Sequence, residues 1–107
     1  MKEHNNNQIN PQELILTSDL PVLVDLYAEW CAPCMAMMPA LERVEKVLEG
    51  KCLVIKVNVD DHLDLVSEYK VMGVPTIALF SQGKLKASVP GPLTSEQMLE
   101  LVEKEAL

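Results

Sequence analysis

Two cysteines separated by two residues, Cys31 and Cys34, are the side chains best suited to chemistry in this sequence. A disulfide between them closes so short a loop that it would stabilise the fold by only about 2 kcal/mol, less than the roughly 3 kcal/mol of a 15-residue loop. It would also join residues that are already neighbours along the chain. The spacing therefore favours a disulfide that is made and broken in a redox reaction.

The two thiols differ in their expected surroundings. Cys31 follows a strongly apolar, strand-like run and precedes a helix-like run, so it lies where a helix begins. Free backbone N–H groups and the positive end of the helix dipole favour a thiolate there, and thiolate is the nucleophile of disulfide exchange. We expect Cys31 to attack a substrate disulfide and Cys34, which lies one turn further in, to resolve the mixed disulfide. Pro33 stiffens the turn because its φ is fixed.

Asp25 is the ionisable residue of an otherwise apolar run, residues 22–28, six positions before Cys31. In a strand covered on both faces its pKa should rise, and a carboxyl group held near neutrality beneath the cysteines can act as a general base for Cys34. The alternative is an exposed strand face and a solvated carboxylate. Lys56, in a second strand, is either the charge partner of Asp25 or a lysine with its head in solvent.

Pro75 follows Gly73 and Val74 at the start of a third strand. A proline here leaves the Val74 backbone free to pair with an extended substrate. Because most X–Pro bonds are trans, the sequence alone predicts a trans peptide at this position.

A zinc site is the main structural alternative for the cysteines. Cys31, Cys34, Cys52 and His62 make three cysteines and one histidine on paper. The second half of such a site lacks the spacing of a zinc knuckle, and Cys52 alternates within a strand as a core residue does. Two inert, buried thiols are a further alternative.

Composition limits the compartment and the partners. The 107 residues fit one domain, residues 1–107, and 16 acidic against 9 basic side chains, for a net charge of −7, argue against a nucleic-acid partner. We see neither a secretory signal nor a segment that could span a membrane. Three cysteines, an odd number, fit poorly with a secreted disulfide framework. We therefore expect a cytoplasmic protein.

Hydrophobic periodicity predicts the elements that position these residues, in the order helix, strand, helix, strand, helix, strand, strand, helix. Early alternation implies parallel strands, and a late hairpin at Gln82-Gly83 adds antiparallel ones, so an α/β fold with a mixed sheet follows. Residues 1–9 are expected to be frayed or to form a weak first strand. Helix boundaries are predicted at Asn10, the cysteine pair, Gly50, Asp60 or Asp61, and Thr94 with Gln97. The apolar stripe of the second helix is predicted at Met38, Leu41, Val44, Val47 and Leu48.

Residues 22–34 resemble the active-site segment of the thioredoxin family. The resemblance continues in register from about Pro21 to the last residue, and five separated motifs agree. Those motifs after the active-site segment are Pro39 and residues 56–60, 73–76, 82–83 and 90–92.

The resemblance implies a thioredoxin fold, with a mixed sheet of four to five strands flanked by four helices on both faces. It implies a thiol–disulfide oxidoreductase that reduces protein disulfides through Cys31 and Cys34, with Asp25 buried, Lys56 its neighbour and a cis Pro75 facing the disulfide. A flat apolar patch would receive substrates: Trp30, Ala32, Pro33, Val74, Pro75 and Gly91. The protein would be a monomer without a bound cofactor or metal, and would receive electrons from NADPH through a thioredoxin reductase-like partner.

Two departures from the family pattern lie at the cysteine pair. Ala32 stands where the family usually has Gly, and Met35 replaces the usual Lys, which removes a positive charge near the thiols. These changes leave open a more oxidising thiol–disulfide exchanger with a dedicated partner. A thioredoxin-like binding module with incidental thiols is the competing function from another class.

Overall fold

A computed structural model of the chain describes residues 10–107, and the expected strand within residues 1–9 lies outside them. Within this range the order of elements is the predicted one, apart from an additional 3-10 turn at Val59–Asp61. The strands are β1 (Val22–Tyr27), β2 (Leu53–Asn58), β3 (Thr76–Ser81) and β4 (Lys84–Pro90). The helices are α1 (Pro11–Thr17), α2 (Ala32–Val47), α3 (Leu63–Glu68) and α4 (Ser95–Ala106).

The described strands form one mixed sheet in the order β2-β1-β3-β4. β1 pairs parallel with β2 and antiparallel with β3, and β3 continues into β4 through a hairpin. The hairpin turn is Gln82-Gly83, where both residues have a positive φ (54° and 79°), as a two-residue turn between right-twisted strands requires. The predicted α/β class and mixed sheet are confirmed.

Helices cover both faces of the sheet, and alternate residues of each strand point to opposite faces. Leu23 of β1 belongs to the core under α2 and α4, together with Leu41 and Met98. Its neighbours Val22 and Val24 belong to the second core, which Ile15 of α1 and Leu65 of α3 complete. β1 therefore lies in the middle of the molecule with both faces covered, as its nearly continuous apolar sequence predicts.

Two helix starts follow the predicted capping chemistry. The Asn10 side chain accepts a hydrogen bond from the Glu13 backbone N–H at 2.7 Å, and Pro11 opens α1. Thr94 and Gln97 form a reciprocal capping box at the start of α4. In both cases side-chain oxygens accept bonds from N–H groups that lack partners within the helix.

The predicted cap of α3 is wrong. Asp60 and Asp61 lie in the 3-10 turn, and α3 starts after His62, which makes no side-chain cap bond. The turn forms because the Asn58 side chain accepts from the Asp60 N–H at 2.9 Å and the His62 N–H donates to the Val59 carbonyl at 3.2 Å. The capping side chain is therefore Asn58, at the start of the 3-10 turn, and not Asp60 or Asp61 at the start of α3.

The stripe of α2 also needs correction. Met37 is buried while Met38 is half-buried, and Val47 is 57% exposed. The helix ends at Val47 and the chain then turns through Gly50, whose φ is +83°. The buried residues recur at four and three positions, which places the stripe on one helix face: Met37, Leu41, Val44 and Leu48.

Candidate redox site

Cys31 and Cys34 form a disulfide at the start of α2, with their Cα atoms 5.3 Å apart. Cys31 is the N-cap residue of α2, and its Sγ accepts a hydrogen bond from the Cys34 backbone N–H at 3.2 Å. Cys31 is 5% exposed and Cys34 is fully buried. A negative charge on the Cys31 sulfur would therefore face the N–H groups and the positive dipole end of α2.

The turn between β1 and α2 sets the position of the two sulfurs. The strand stops at Tyr27, and the Cys31 N–H donates to the Ala28 carbonyl at 3.1 Å, so the chain makes a tight turn before α2 begins. Ala28, Cys31 and Cys34 form a small buried cluster, which we call the cysteine cluster. Tyr27, Val59 and Val74, from three different segments of the chain, pack against this cluster.

Asp25 is fully buried in β1, and neither of its carboxylate oxygens has a hydrogen-bond partner among the described residues. Burial raises the pKa of Asp25 from 3.8 to about 7, against the opposing effect of the Lys56 charge. Asp25 is two residues after Leu23, so it faces the same side of the sheet as α2, the helix that begins at the cysteines. The predicted burial and raised pKa are thus present.

Lys56 is the Cα partner of Asp25 on the neighbouring β2. It is two residues after Val54, which shares the core under α2, so it lies on the same sheet face as Asp25. Its side chain is exposed, and it acts on Asp25 through its charge rather than by a hydrogen bond. Lys56 is thus an exposed lysine opposite Asp25 in the sheet.

The Val74–Pro75 peptide is cis. This agrees with the family resemblance and corrects the trans peptide expected from X–Pro statistics. The trans preference is only about 0.5–1 kcal/mol, which surrounding contacts can override. The Gly91 N–H donates to the Pro75 carbonyl at 2.8 Å, and the Thr76 hydroxyl donates to the Gly73 carbonyl at 2.7 Å. The first of these bonds holds the Pro75 and Gly91 loops together, and the second lies within the turn before β3.

The residues assigned to the apolar patch differ in exposure. Trp30 is 72% exposed, Ala32 and Pro33 are exposed, Val74 and Gly91 are half-buried, and Pro75 is buried. Met72, which precedes Gly73 in the chain, is also exposed (94%), and the sequence analysis did not single it out. Its place directly before the Gly73-Val74-Pro75 motif was the available signal.

An open apolar groove of about 410 Å³ begins at Pro33 and runs along α2. The opposite wall is the segment after Gly91, and the Leu93 N–H donates to the Met37 Sδ at 3.4 Å. The groove residues are Pro33, Ala36, Met37, Ala40, Pro92, Leu93 and Thr94.

The third cysteine belongs to the core. Cys52 is buried against the residues under α2, and burial raises its pKa to about 11. In the part of the chain that the structure describes, no group of three or more His, Cys, Asp or Glu side chains is placed to hold a metal ion. In the same residues no helix is long and apolar enough to cross a membrane.

Comparisons with known proteins agree on one family. The thioredoxin family model matches residues 3–104. A thioredoxin of Rickettsia felis is 41% identical over 90 residues, which cover 84% of this chain and 86% of the relative. A thioredoxin of Pseudomonas aeruginosa is 37% identical over 105 residues, covering 96% of this chain and 97% of the relative. Thioredoxin Y1, chloroplastic, of Arabidopsis thaliana is 37% identical over 92 residues, or 86% of this chain and 54% of the relative.

Proposed function

Because the chain belongs to the thioredoxin family and is a protein disulfide reductase, we propose that Cys31 is its attacking thiol and Cys34 its resolving thiol. One observation carries the assignment: the Cys31 sulfur caps α2 and accepts the Cys34 N–H, whereas Cys34 is fully buried. The first sulfur is thus the one at which a helix terminus can stabilise negative charge.

The reaction has two exchange steps. The Cys31 thiolate attacks one sulfur of a substrate disulfide, forms a mixed disulfide and releases the other substrate sulfur as a thiolate. The Cys34 thiol then loses its proton and attacks the Cys31 sulfur, which re-forms the Cys31–Cys34 disulfide and releases the second substrate thiol. The substrate gains two electrons, and the cysteine pair supplies them.

Asp25 is the proposed acceptor of the Cys34 proton. Its pKa of about 7 leaves a substantial ionised fraction at neutral pH, as a general base needs. Its position on the α2 face of β1 supports this role, and the unpartnered oxygens leave the carboxylate free to accept a proton. Lys56 would favour the ionised form through its charge, which makes it a positioning residue rather than a proton carrier.

Substrates would dock on the apolar patch formed by Trp30, Ala32, Pro33, Val74, Pro75 and Gly91, which we call the docking patch. The exposed indole and the paired Pro75 and Gly91 loops support this assignment. Members of the family work with a thioredoxin reductase and disulfide-bonded substrates. For this chain we propose electrons from NADPH through such a reductase, one domain over residues 1–107, a monomer, and a cytoplasmic location.

Reduction of insulin disulfides by dithiothreitol, followed by turbidity, tests the proposal. The wild-type chain should accelerate the reaction, and Cys31→Ser should abolish the acceleration. Cys34→Ser, reduced and then mixed with insulin after removal of the dithiothreitol, should accumulate a mixed disulfide that mass spectrometry detects. Unchanged turnover by Cys31→Ser would exclude the assigned roles. A wild-type chain without reductase activity would instead favour a binding module with incidental thiols.

A further inference from the structure

A hydrogen bond to Asp60 fixes the exposed indole of Trp30. With 72% of its surface in solvent, Trp30 has few packing contacts to fix it, and its Nε1–H donates to the Asp60 Oδ2 at 3.0 Å. An exposed side chain without such a bond samples several rotamers. The position of the indole beside the cysteines therefore depends on where Asp60 places its carboxylate.

Asp60 is itself fixed by the 3-10 turn that precedes α3. The Asn58 Oδ1 accepts the Asp60 N–H at 2.9 Å and makes Asn58 the N-cap of the turn. Val59, between the two, packs against the cysteine cluster. The turn is thus anchored against the disulfide by its first residue and presents its second to Trp30.

Asn58 has a fixed position of its own. It is the last residue of β2 and the Cα partner of Tyr27, the last residue of β1. Burial raises the pKa of Tyr27, as do the charges of Glu29, Asp25 and Asp61, and the Asn58 amide opposes this rise, so the amide faces the phenol. Tyr27 in turn packs against the cysteine cluster.

We propose that Asn58 is a positioning residue for substrate docking, which sets the 3-10 turn so that Asp60 holds the Trp30 indole in place beside Cys31. The proposal rests on the proposed role of Trp30 in the docking patch. Asn58 touches neither the sulfurs nor the substrate in this arrangement, and its effect reaches the reaction through Asp60 and Trp30. The chain Asn58–Asp60–Trp30 links the end of β2 to the residue before Cys31.

The chemistry of Asn58 fits this task. Asn is among the best acceptors at a helix N-cap, and it adds no charge next to the carboxylates of Asp60 and Asp61. Asp at the same position keeps the acceptor oxygen, whereas Ala removes it. Asn58→Ala therefore removes the acceptor, and Asn58→Asp tests whether an acceptor oxygen at this position is sufficient.

The experiment measures both the mobility of the Trp30 indole and the kinetics of disulfide reduction. Trp30 is the single tryptophan of the chain, so fluorescence anisotropy reports its mobility without interference. In Asn58→Ala the anisotropy should fall and the KM for insulin should rise about three- to tenfold, the range expected for losing a cap bond. The reduction rate of the small disulfide DTNB, which needs little docking surface, should stay within about twofold of the wild type. Asn58→Asp should restore both the anisotropy and the KM.

A double-mutant cycle tests whether Asn58 acts through Asp60. Asp60→Ala should reproduce the loss of anisotropy, and adding Asn58→Ala to it should change little more. Ser18→Ala is the matched control: it removes a side-chain bond to the Leu20 N–H before β1, and the cysteines follow the other end of this strand. This control should leave both readouts unchanged.

Three results would overturn the proposal: an unchanged anisotropy in Asn58→Ala, additive effects in the double variant, or parallel losses with insulin and with DTNB. The last result would mean that Asn58 affects the chemistry and not docking. Failure of the proposed function would look different, because the wild-type chain would then reduce neither substrate, while the anisotropy would still report the hydrogen-bonded chain.

Discussion

At the scale of a single residue, Asp25 is both the proposed general base and a buried group whose ionisation lowers the stability of the fold. Its carboxyl group is fully buried with a pKa of about 7, compared with 3.8 for an exposed aspartate. Between these two pH values the unfolded chain has lost the proton and the folded chain retains it. Stability therefore falls as the pH rises from 3.8 towards 7, and the full penalty is present above that value.

We predict that Asp25→Ala removes this pH dependence. With the disulfide intact in both proteins, the unfolding free energy of the variant minus that of the wild type should increase by about 2–3 kcal/mol from pH 5 to pH 8. Urea denaturation at the two pH values measures the difference. Wild-type and variant curves that run parallel would show that Asp25 is ionised in the folded chain at pH 5.

Lys56 provides a second, smaller prediction. Its charge lowers the pKa of Asp25, so Lys56→Met should raise the pH at which the buried carboxyl group titrates. An NMR titration of the Asp25 side chain in the oxidised protein measures this shift. Lys51→Met, an exposed lysine before β2, is the control and should leave the titration in place. An equal shift in both variants would indicate a general charge effect.

At the scale of elements, the hairpin between β3 and β4 requires a left-handed backbone at Gly83, whose φ is +79°. An alanine there meets only ordinary contacts with Leu16, so the backbone conformation decides the outcome. We predict that Gly83→Ala destabilises the fold by about 1 kcal/mol, because L-residues disfavour this conformation. Gly73→Ala is the control, since a Cβ at Gly73 meets no atom within 4 Å and its φ lies outside the left-handed region. Equal unfolding free energies for the two variants would refute the argument.

Local sequence chemistry predicts several elements well. The apolar run around Asp25 predicts a strand covered on both faces, and Asn10, Thr94 and Gln82-Gly83 mark two helix starts and a turn that are present. For the two helix starts and the turn, residues within four positions of each other make the deciding contacts.

Features that depend on contacts between distant segments cannot be predicted from the local sequence in this way. Asp60 carries the sequence signal of a helix cap, but its carboxylate accepts the Nε1–H of Trp30, which lies thirty residues away in the chain. The cis peptide at Pro75 contradicts the preference of isolated X–Pro bonds and was expected only from the family resemblance. The register that sets Lys56 opposite Asp25 likewise comes from the pairing of whole strands.

At the scale of the whole molecule, an acidic protein with a net charge of −7 presents an exposed apolar indole next to its redox pair. We predict that the oxidised protein is a monomer at micromolar concentration, because copies with a net charge of −7 repel each other. Self-association over the docking patch would cover Trp30. Sedimentation velocity should give the mass of a single chain, and the Trp30 emission should be independent of protein concentration. A dimer with a blue-shifted indole would contradict a free docking patch.

The most direct test of the account is the alkylation of the reduced protein with iodoacetamide at pH 6, with each cysteine followed by peptide mass spectrometry. If Cys31 is the sulfur that the α2 terminus holds as thiolate, it should react well ahead of both a free model thiol and Cys34. Cys52, buried in the core, should remain unmodified. A Cys31 that reacts no faster than the model thiol, or a Cys34 that reacts first, would contradict the assignment of the two sulfurs.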